Sequence, residues 1–246
     1  MKLLVTFVVF ALISIGTNAQ NHPVLVELFT YDGCSNCAAS AKNTKDLFPP
    51  GDSLLKEQVV LITYHVDYDS HDDFADPFDD KRWQDRQKQY ARFGISDGIY
   101  TPQVVINGKS AFSGSNRARL FREVNLADSL KNHPQYELNV TIDSIGSLVA
   151  SARMGVLAED LIFNFVLVKN KKISNPSSGE NVGRTMESRN IAVDILSLLP
   201  KAQLKYLYKF KELESKNDYH LISFLQRTTD GQILSLKETY FDDSSK

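Results

Sequence analysis

The chain has little cysteine: two residues among 246, Cys34 and Cys37. Two cysteines can form at most one disulfide within the chain, and a bridge that closes so short a loop removes little entropy from the unfolded state. A chain of this length builds a sufficient hydrophobic core without such a bridge. The pair is therefore expected to act chemically, as a working dithiol or a metal ligand, rather than to hold the fold together.

The chain also lacks a strong charge of either sign. It has 28 basic and 30 acidic side chains, a formal net charge of −2. Such a small imbalance gives no reason to expect nucleic acid or an anionic membrane surface as a partner. Beyond the first residues, no apolar run is long enough to cross a bilayer, so no stable membrane span is expected. No internal repeat and no low-complexity tract is visible.

The first residues have a different character. Lys2 is followed by an apolar run from Leu3 to Ile15 and by small residues that end at Ala19. A basic start, a short apolar stretch and small residues are typical of a secretory signal peptide, here residues 1–19. The alternatives are an uncleaved anchor and a buried helix. The predicted location is the periplasm or the cell exterior.

The next part of the chain alternates between strand and helix patterns. Val24 to Thr30 is an apolar, β-rich run, and Tyr31–Gly33 is a turn sequence that leads into the cysteines. The order of predicted elements is strand, helix, strand, helix, hairpin, helix, and the later ones are a strand over 59–64, a helix over 78–93, a hairpin at 107–108 and a helix over 115–131. This order predicts an α/β thioredoxin-like domain over residues 20–133, with the CxxC sequence at the start of its first helix.

From Tyr136 onward, short alternating apolar segments separated by turn residues replace the strand–helix pattern. Regularly spaced strands of this kind predict a mostly β, sandwich-like C-terminal domain over residues 134–246. The segment Ile191 to Leu199 is ambiguous between helix and strand.

The cysteine pair is predicted to be a catalytic dithiol. Unpaired N–H groups and the macrodipole at a helix N-terminus stabilise a thiolate, so Cys34 is expected to be the exposed attacking thiol. Cys37, one turn later, is expected to lie deeper and to act as the resolving thiol. The neighbouring carboxylate of Asp32 would raise the pKa of the Cys34 thiol, so an unusually oxidising pair is not expected.

Glu27 is the sole charged residue in the first strand. One interpretation is a buried carboxylate that relays the proton of Cys37, which adds Glu27 to the predicted catalytic residues. The other is an edge position that faces water.

Residues Thr101 to Ile106 are predicted to form a strand, with Pro102 at its start. Proline is tolerated at the start of a strand, and a cis bond costs little before proline. In the predicted fold a cis-proline faces the cysteines, so Thr101 and Pro102 are predicted to bind substrate and Gln103 to support them.

His65 and Asp67 end the second strand on the same side and are predicted to support the site, and His71, Asp72 and Asp73 follow in the loop. Their imidazole and carboxylate groups suit a metal ion, but a solvated acidic loop is the preferred interpretation. No metal and no cofactor are expected.

The sequence resembles a family of bacterial secreted thioredoxin-like proteins, known as domain of unknown function number twelve twenty-three. The resemblance is carried by several motifs along the chain, which are VELFT at 26–30, GCSNC at 33–37, HVDY at 65–68, DPF at 76–78, YTPQ at 100–103 and GENVGRT at 179–185. It implies a thioredoxin-like fold and a thiol–disulfide role, and it supplies no substrate. The chain departs from the family pattern at Ala38–Ala39, where prolines are usual, and at Ser188, where a histidine is usual. Within the last motif, Glu180 and Arg184 are expected to form an ion pair.

The leading hypothesis is an exported thiol–disulfide oxidoreductase that acts on protein or small-molecule thiols and disulfides through Cys34 and Cys37, together with a redox partner of unknown identity. One alternative is a binding protein in which both thiolates and His65 hold Cu(I), an ion that soft thiolates favour. The other is a redox-inactive scaffold.

Overall fold

The computed structural model describes residues 23–48, 59–66, 76–127, 134–144, 146–155, 158–201, 203–210 and 215–241. The predicted signal peptide, Asp67 and the loop residues 71–73 lie outside these ranges. Across the described ranges, no helix combines the length and the apolar character that a membrane crossing requires.

Strands dominate the structure: 46% of the described residues lie in strands and 19% in helices. The three α-helices of the described part are α1 (Ser35–Lys45), α2 (Lys81–Arg92) and α3 (Arg117–Leu126). The strands are β1 (Val24–Thr30), β2 (Val59–His65), β3 (Gln103–Ile106), β4 (Ser110–Ser113), β5 (Tyr136–Ile142), β6 (Leu148–Met154), β7 (Leu161–Ser174), β8 (Met186–Leu198), β9 (Gln203–Tyr208), β10 (Tyr219–Arg227) and β11 (Ile233–Tyr240).

The strands form two sheets. The large sheet has eight strands in the order β11-β10-β7-β8-β2-β1-β3-β4, and the small sheet has three in the order β5-β6-β9. In the large sheet β1 and β2 are parallel, as are β2 and β8, whereas the remaining neighbours are antiparallel.

The predicted fold class, a thioredoxin-like α/β domain followed by a separate sandwich-like domain, is wrong. Strands from both halves of the chain belong to one mixed sheet, because β8 pairs with β2 at Thr63 and Ile191. The Thr63 hydroxyl donates to the Arg189 carbonyl at 2.7 Å, and the Asn190 amide donates to the Leu61 carbonyl at 3.0 Å. An uncovered β2 edge would leave backbone groups unpaired, and β8 removes that edge. The division of the chain near residue 133 stays a prediction, because residues 128–133 lie outside the described ranges.

Helix α2 lies against one face of the large sheet, which contributes side chains to it from both halves of the chain. Trp83 and Tyr90 of α2 are each 1% exposed, and they share a core with Phe29 and Tyr64 from the first half and Phe224 from the second. The Phe29 and Tyr64 rings stack at a centroid distance of 5.0 Å. This shared core ties the two halves together.

Helices α1 and α3 cover the opposite face, where Val26 and Leu28 of β1 pack with Leu120 of α3. Gly114 allows α1 to approach closely, because a Cβ atom there would lie 2.0 Å from the Ser40 hydroxyl. The Asn43 amide of α1 donates to the Gly114 carbonyl at 3.1 Å. The position of α1 on this face fixes where the cysteine pair lies.

The small sheet packs on the second half of the large sheet through a separate apolar core. Phe163 and Phe165 of β7 contact aromatic residues from the small sheet, and the Phe165 and Tyr206 rings stack at 5.5 Å. Tyr136 also packs edge-on against Phe163 at 4.8 Å.

Candidate functional site

Cys34 and Cys37 form a disulfide at the start of α1. Cys34 is the N-cap, with φ −92° and ψ 134°, and is partly exposed, whereas Cys37 lies in the first turn and is 0% exposed. The Cys37 N–H donates to the Cys34 carbonyl at 3.1 Å. The predicted placement of an outer Cys34 and an inner Cys37 is therefore confirmed.

The N-terminus of α1 is suited to negative charge. The first turn carries no acidic residue, and Lys42 and Lys45 lie in the last turn, where positive charge complements the helix dipole. The N-cap side chain accepts no hydrogen bond from the helix. A Cys34 thiolate, once formed, would therefore lie beside backbone N–H groups that favour it.

A segment from the second half of the chain closes over the cysteine loop. We call residues 179–185 the clasp. The Glu180 N–H donates to the Gly33 carbonyl at 3.0 Å, and the Glu180 carboxylate accepts the Ser35 N–H at 2.8 Å. The Asn181 amide, whose residue is fully buried, donates to the carbonyls of Asp32 at 2.8 Å and Cys34 at 2.7 Å.

The glycines of the clasp explain its shape. Gly179 and Gly183 both have φ of +78°, a conformation that glycine adopts without the steric cost of a Cβ atom. They bracket Glu180 and Asn181, the two residues that contact the cysteine loop. The glycine spacing was visible in the GENVGRT motif, but nothing local indicated what the two polar residues would bind.

The expected ion pair between Glu180 and Arg184 is not among the contacts of the described residues. Arg184 instead donates to the Asn181 side-chain oxygen at 3.0 Å. The Glu180 carboxylate accepts a hydrogen bond from the Ser35 N–H, and this hydrogen bond holds the pKa of the carboxyl below its usual value. The polar side chains of the motif therefore bind the cysteine loop and do not form an ion pair with each other.

Asp32 lies directly before the cysteine loop and is buried. Its carboxylate contacts the Lys172 ammonium at 2.9 Å and accepts the Ser174 hydroxyl at 2.6 Å. Lys172 therefore offsets the negative charge that was expected to raise the pKa of the Cys34 thiol.

Lys172 also links Asp32 to a second buried pair. Its ammonium contacts Asp76 at 2.9 Å, and Asp76 in turn contacts the His65 Nδ1 atom at 2.5 Å. Burial opposes ionisation of Asp76, but the hydrogen bonds and charges of His65 and Lys172 outweigh it and hold the pKa of the carboxyl well below its usual value of 3.8. The predicted supporting residue His65 thus joins a charged network that adjoins the cysteine loop.

The donor atoms of this network are close enough together to bind a metal ion, but a lysine already neutralises the two carboxylates. Donor atoms of Asp32, His65 and Asp76 lie within 4.8 Å of one another, and neither cysteine belongs to this group. The Lys172 ammonium already bridges both carboxylates and would repel a cation.

Glu27 is fully buried, so the water-facing alternative does not apply. Its carboxylate accepts a hydrogen bond from the Arg86 guanidinium at 2.5 Å and another from the Tyr90 hydroxyl. Both partners belong to α2. Since α1 covers the opposite face of β1, the polar contacts of Glu27 lie on the far side of the strand from the cysteines. The predicted proton-relay role of Glu27 stays a prediction.

The Thr101–Pro102 bond is cis, as predicted. The Pro102 carbonyl accepts the Gly114 N–H at 3.1 Å, which joins it to the segment beneath α1. The Gln103 side chain contacts α2 and the segment after it. It accepts a hydrogen bond from Gln87 of α2 at 2.8 Å and donates one to the Ser96 hydroxyl at 2.7 Å. The predicted roles of these residues in substrate binding stay predictions.

The fold and the site together define a mostly β protein with a disulfide-forming CxxC loop that is held by a clasp from the distant half of the chain. The family model described as protein of unknown function (DUF1223) matches residues 25–226. The chain belongs to this family.

Two solved structures have a similar fold. Protein AGR_C_4864 from Agrobacterium tumefaciens is 18% identical, with a TM-score of 0.65, over 93% of this chain and 99% of that one. HBP35 of Porphyromonas gingivalis is 14% identical, with a TM-score of 0.59, over 92% of this chain and 78% of that one. Among the curated proteins compared, none matches the chain.

Proposed function

We propose that the protein is an exported thiol–disulfide oxidoreductase whose redox centre is the Cys34–Cys37 couple. The observation that carries the proposal is the placement of the two sulfurs. Cys34 is accessible at a helix N-terminus, whereas Cys37 is buried one turn later and bonded to it. Export is proposed from the basic and apolar sequence at residues 2–19.

The reaction is a two-electron exchange. With the couple reduced, the Cys34 thiolate attacks one sulfur of a substrate disulfide, and a mixed disulfide forms as the first substrate thiolate leaves. The Cys37 thiolate then attacks Cys34 Sγ and releases the second substrate thiolate, which takes up a proton. The substrate is reduced by two electrons and the Cys34–Cys37 disulfide is restored. A substrate dithiol drives the same steps in reverse.

The surroundings support Cys34 as the residue that contacts substrate. Access to Cys37 is closed, and a buried thiolate reacts slowly with a large partner. The N–H groups at the start of α1 favour the thiolate of Cys34. Lys172 neutralises the nearest buried carboxylate, Asp32.

The test is to trap the intermediate. Cys37→Ala, which lacks the resolving thiol, should accumulate a mixed disulfide with a model protein disulfide, visible by non-reducing electrophoresis and mass spectrometry. Cys34→Ser should form none and should lose reductase activity by at least about a hundredfold, because it lacks the nucleophile.

The control is a Cys34→Ser/Cys37→Ala protein, which reports non-specific association. Activity of Cys34→Ser equal to that of the parent protein would refute the proposal. Saturable Cu(I) binding by the reduced parent, without thiol–disulfide exchange, would refute it in favour of a metal-binding role.

A further inference from the structure

We infer that the clasp is a positioning element that sets the reactivity of Cys34. In this arrangement the charge of Glu180 makes the reduction potential of the Cys34–Cys37 couple more negative. The inference rests on the proposed function, since it concerns the same dithiol. Glu180 and Asn181 come from the second half of the chain and contact the cysteine loop from outside α1.

Glu180 places a carboxylate at the N-terminus of α1, next to Cys34. The Ser35 N–H is the first backbone donor of α1 after the Cys34 N-cap, and its hydrogen bond goes to the Glu180 carboxylate at 2.8 Å. Donors at this end of a helix are the groups that stabilise a thiolate. The carboxylate that accepts this hydrogen bond therefore places a negative charge next to Cys34.

The effect depends on the redox state. In the disulfide Cys34 carries no charge, so Glu180 does not oppose it. After reduction, the Cys34 thiolate and the Glu180 carboxylate are like charges at one helix end and disfavour each other. A less stable thiolate makes the couple more reducing, because strongly oxidising thiol–disulfide proteins owe their reduction potential to a stabilised reduced form.

Asn181 holds the loop in the position where Glu180 can act. Its amide donates to the carbonyls on both sides of Gly33, those of Asp32 and Cys34, and its own oxygen accepts from Arg184. Four contacts of Glu180 and Asn181 thus fix the backbone at residues 32–35.

Apart from the Arg184 guanidinium, which donates to the Asn181 side-chain oxygen, the other charged groups named near the loop have partners of opposite charge. Asp32 and Asp76 share Lys172, and His65 contacts Asp76. Tyr31 lies over Gly33, since a Cβ atom at Gly33 would fall 2.3 Å from the Tyr31 hydroxyl. The Glu180 carboxylate differs from these paired groups. It accepts a hydrogen bond from a neutral backbone N–H, and within the described residues it forms no ion pair.

The test is the pH dependence of Cys34 alkylation in the reduced protein. Glu180→Gln keeps the side-chain shape and removes the charge. Its iodoacetamide rate should rise about three- to tenfold at pH 6, with the rate curve shifted to lower pH and no increase in the plateau at high pH. In glutathione buffer, the equilibrium constant should shift by a similar factor toward the dithiol, which makes the couple more oxidising.

The matched control is Glu187→Gln. Glu187 is another carboxylate of the second half that contacts α1, but it does so through Lys45 in the last turn, at 3.0 Å. This variant should give the parent curve. Thermal unfolding should show that both variants are folded.

A Glu180→Gln curve that coincides with that of the parent protein would overturn the inference. A raised plateau at high pH would also overturn it, because that result indicates a loosened loop rather than a stabilised thiolate. Both readouts concern the dithiol alone, so they stand even if no protein disulfide is reduced and the proposed function fails.

Discussion

Buried charged side chains of this protein are held by partners of opposite charge. Glu27, 0% exposed, pairs with Arg86, which is 4% exposed, and Lys172 pairs with both Asp32 and Asp76. Removing one member of such a pair leaves a charge that burial strongly disfavours, whereas removing both is far less costly. This difference allows the role of each pair to be tested.

Arg86→Met should lower the free energy of unfolding by about 3–5 kcal/mol, because Glu27 then remains buried without a partner charge. The variant also loses the hydrogen bond from the Arg86 guanidinium to the Tyr90 hydroxyl, 2.8 Å in the parent protein. Urea unfolding followed by the fluorescence of Trp83, which lies in the same core, measures the change. The double variant Glu27→Leu/Arg86→Met should recover part of the loss. A double variant at least as unstable as the sum of the two single variants would contradict this assignment.

Asp76 should make stability sensitive to acid. Its pKa in the folded protein lies below the usual value of 3.8, so the unfolded chain takes up its proton first as the pH falls. The stabilisation is complete above about pH 5 and is lost as the pH falls toward the folded-state pKa. The gap in unfolding free energy between the parent protein and Asp76→Asn should therefore narrow as the pH falls from about 5 to about 3. A gap that stays the same at pH 3 would contradict this reasoning.

At the scale of elements, local patterns predicted most strands and helices. The apolar run of β1 and the Asn107–Gly108 turn fall where expected, and the ambiguous segment at 191–199 lies largely in β8. Periodicity reports which faces of an element are buried, but it does not report which strand is its neighbour. The fold class was therefore wrong at the β2–β8 contact, where the chain brings together residues more than a hundred positions apart.

The site divides in the same way. The outer and inner positions of Cys34 and Cys37 follow from the helix that begins between them, so the sequence was sufficient to predict them. Asn181 lies 149 and 147 positions from Asp32 and Cys34, and Glu180 lies 145 positions from Ser35, so no local pattern links them. Glu27 stands out in the sequence as the one charged residue of its strand, but no local pattern indicates its partner Arg86, which lies 59 positions later on α2.

At the scale of the molecule, the proposed redox centre is built from both halves of the chain. The first half supplies α1 and the cysteines, and the second supplies the clasp and Lys172. The large sheet joins the halves through β2 and β8. We propose that this shared structure holds a reactive dithiol rather than a structural bridge.

The most direct measurement is a redox titration of the full-length protein in glutathione and dithiothreitol buffers, with the fraction of the Cys34–Cys37 disulfide read by thiol labelling and mass spectrometry. Accessible Cys34 at the N-terminus of α1 predicts a reversible two-electron transition with a midpoint less negative than about −300 mV. Glu180 should keep it more reducing than the strongest periplasmic oxidants, near about −120 mV. A disulfide that persists at potentials well below about −300 mV would identify a structural bridge and contradict the account.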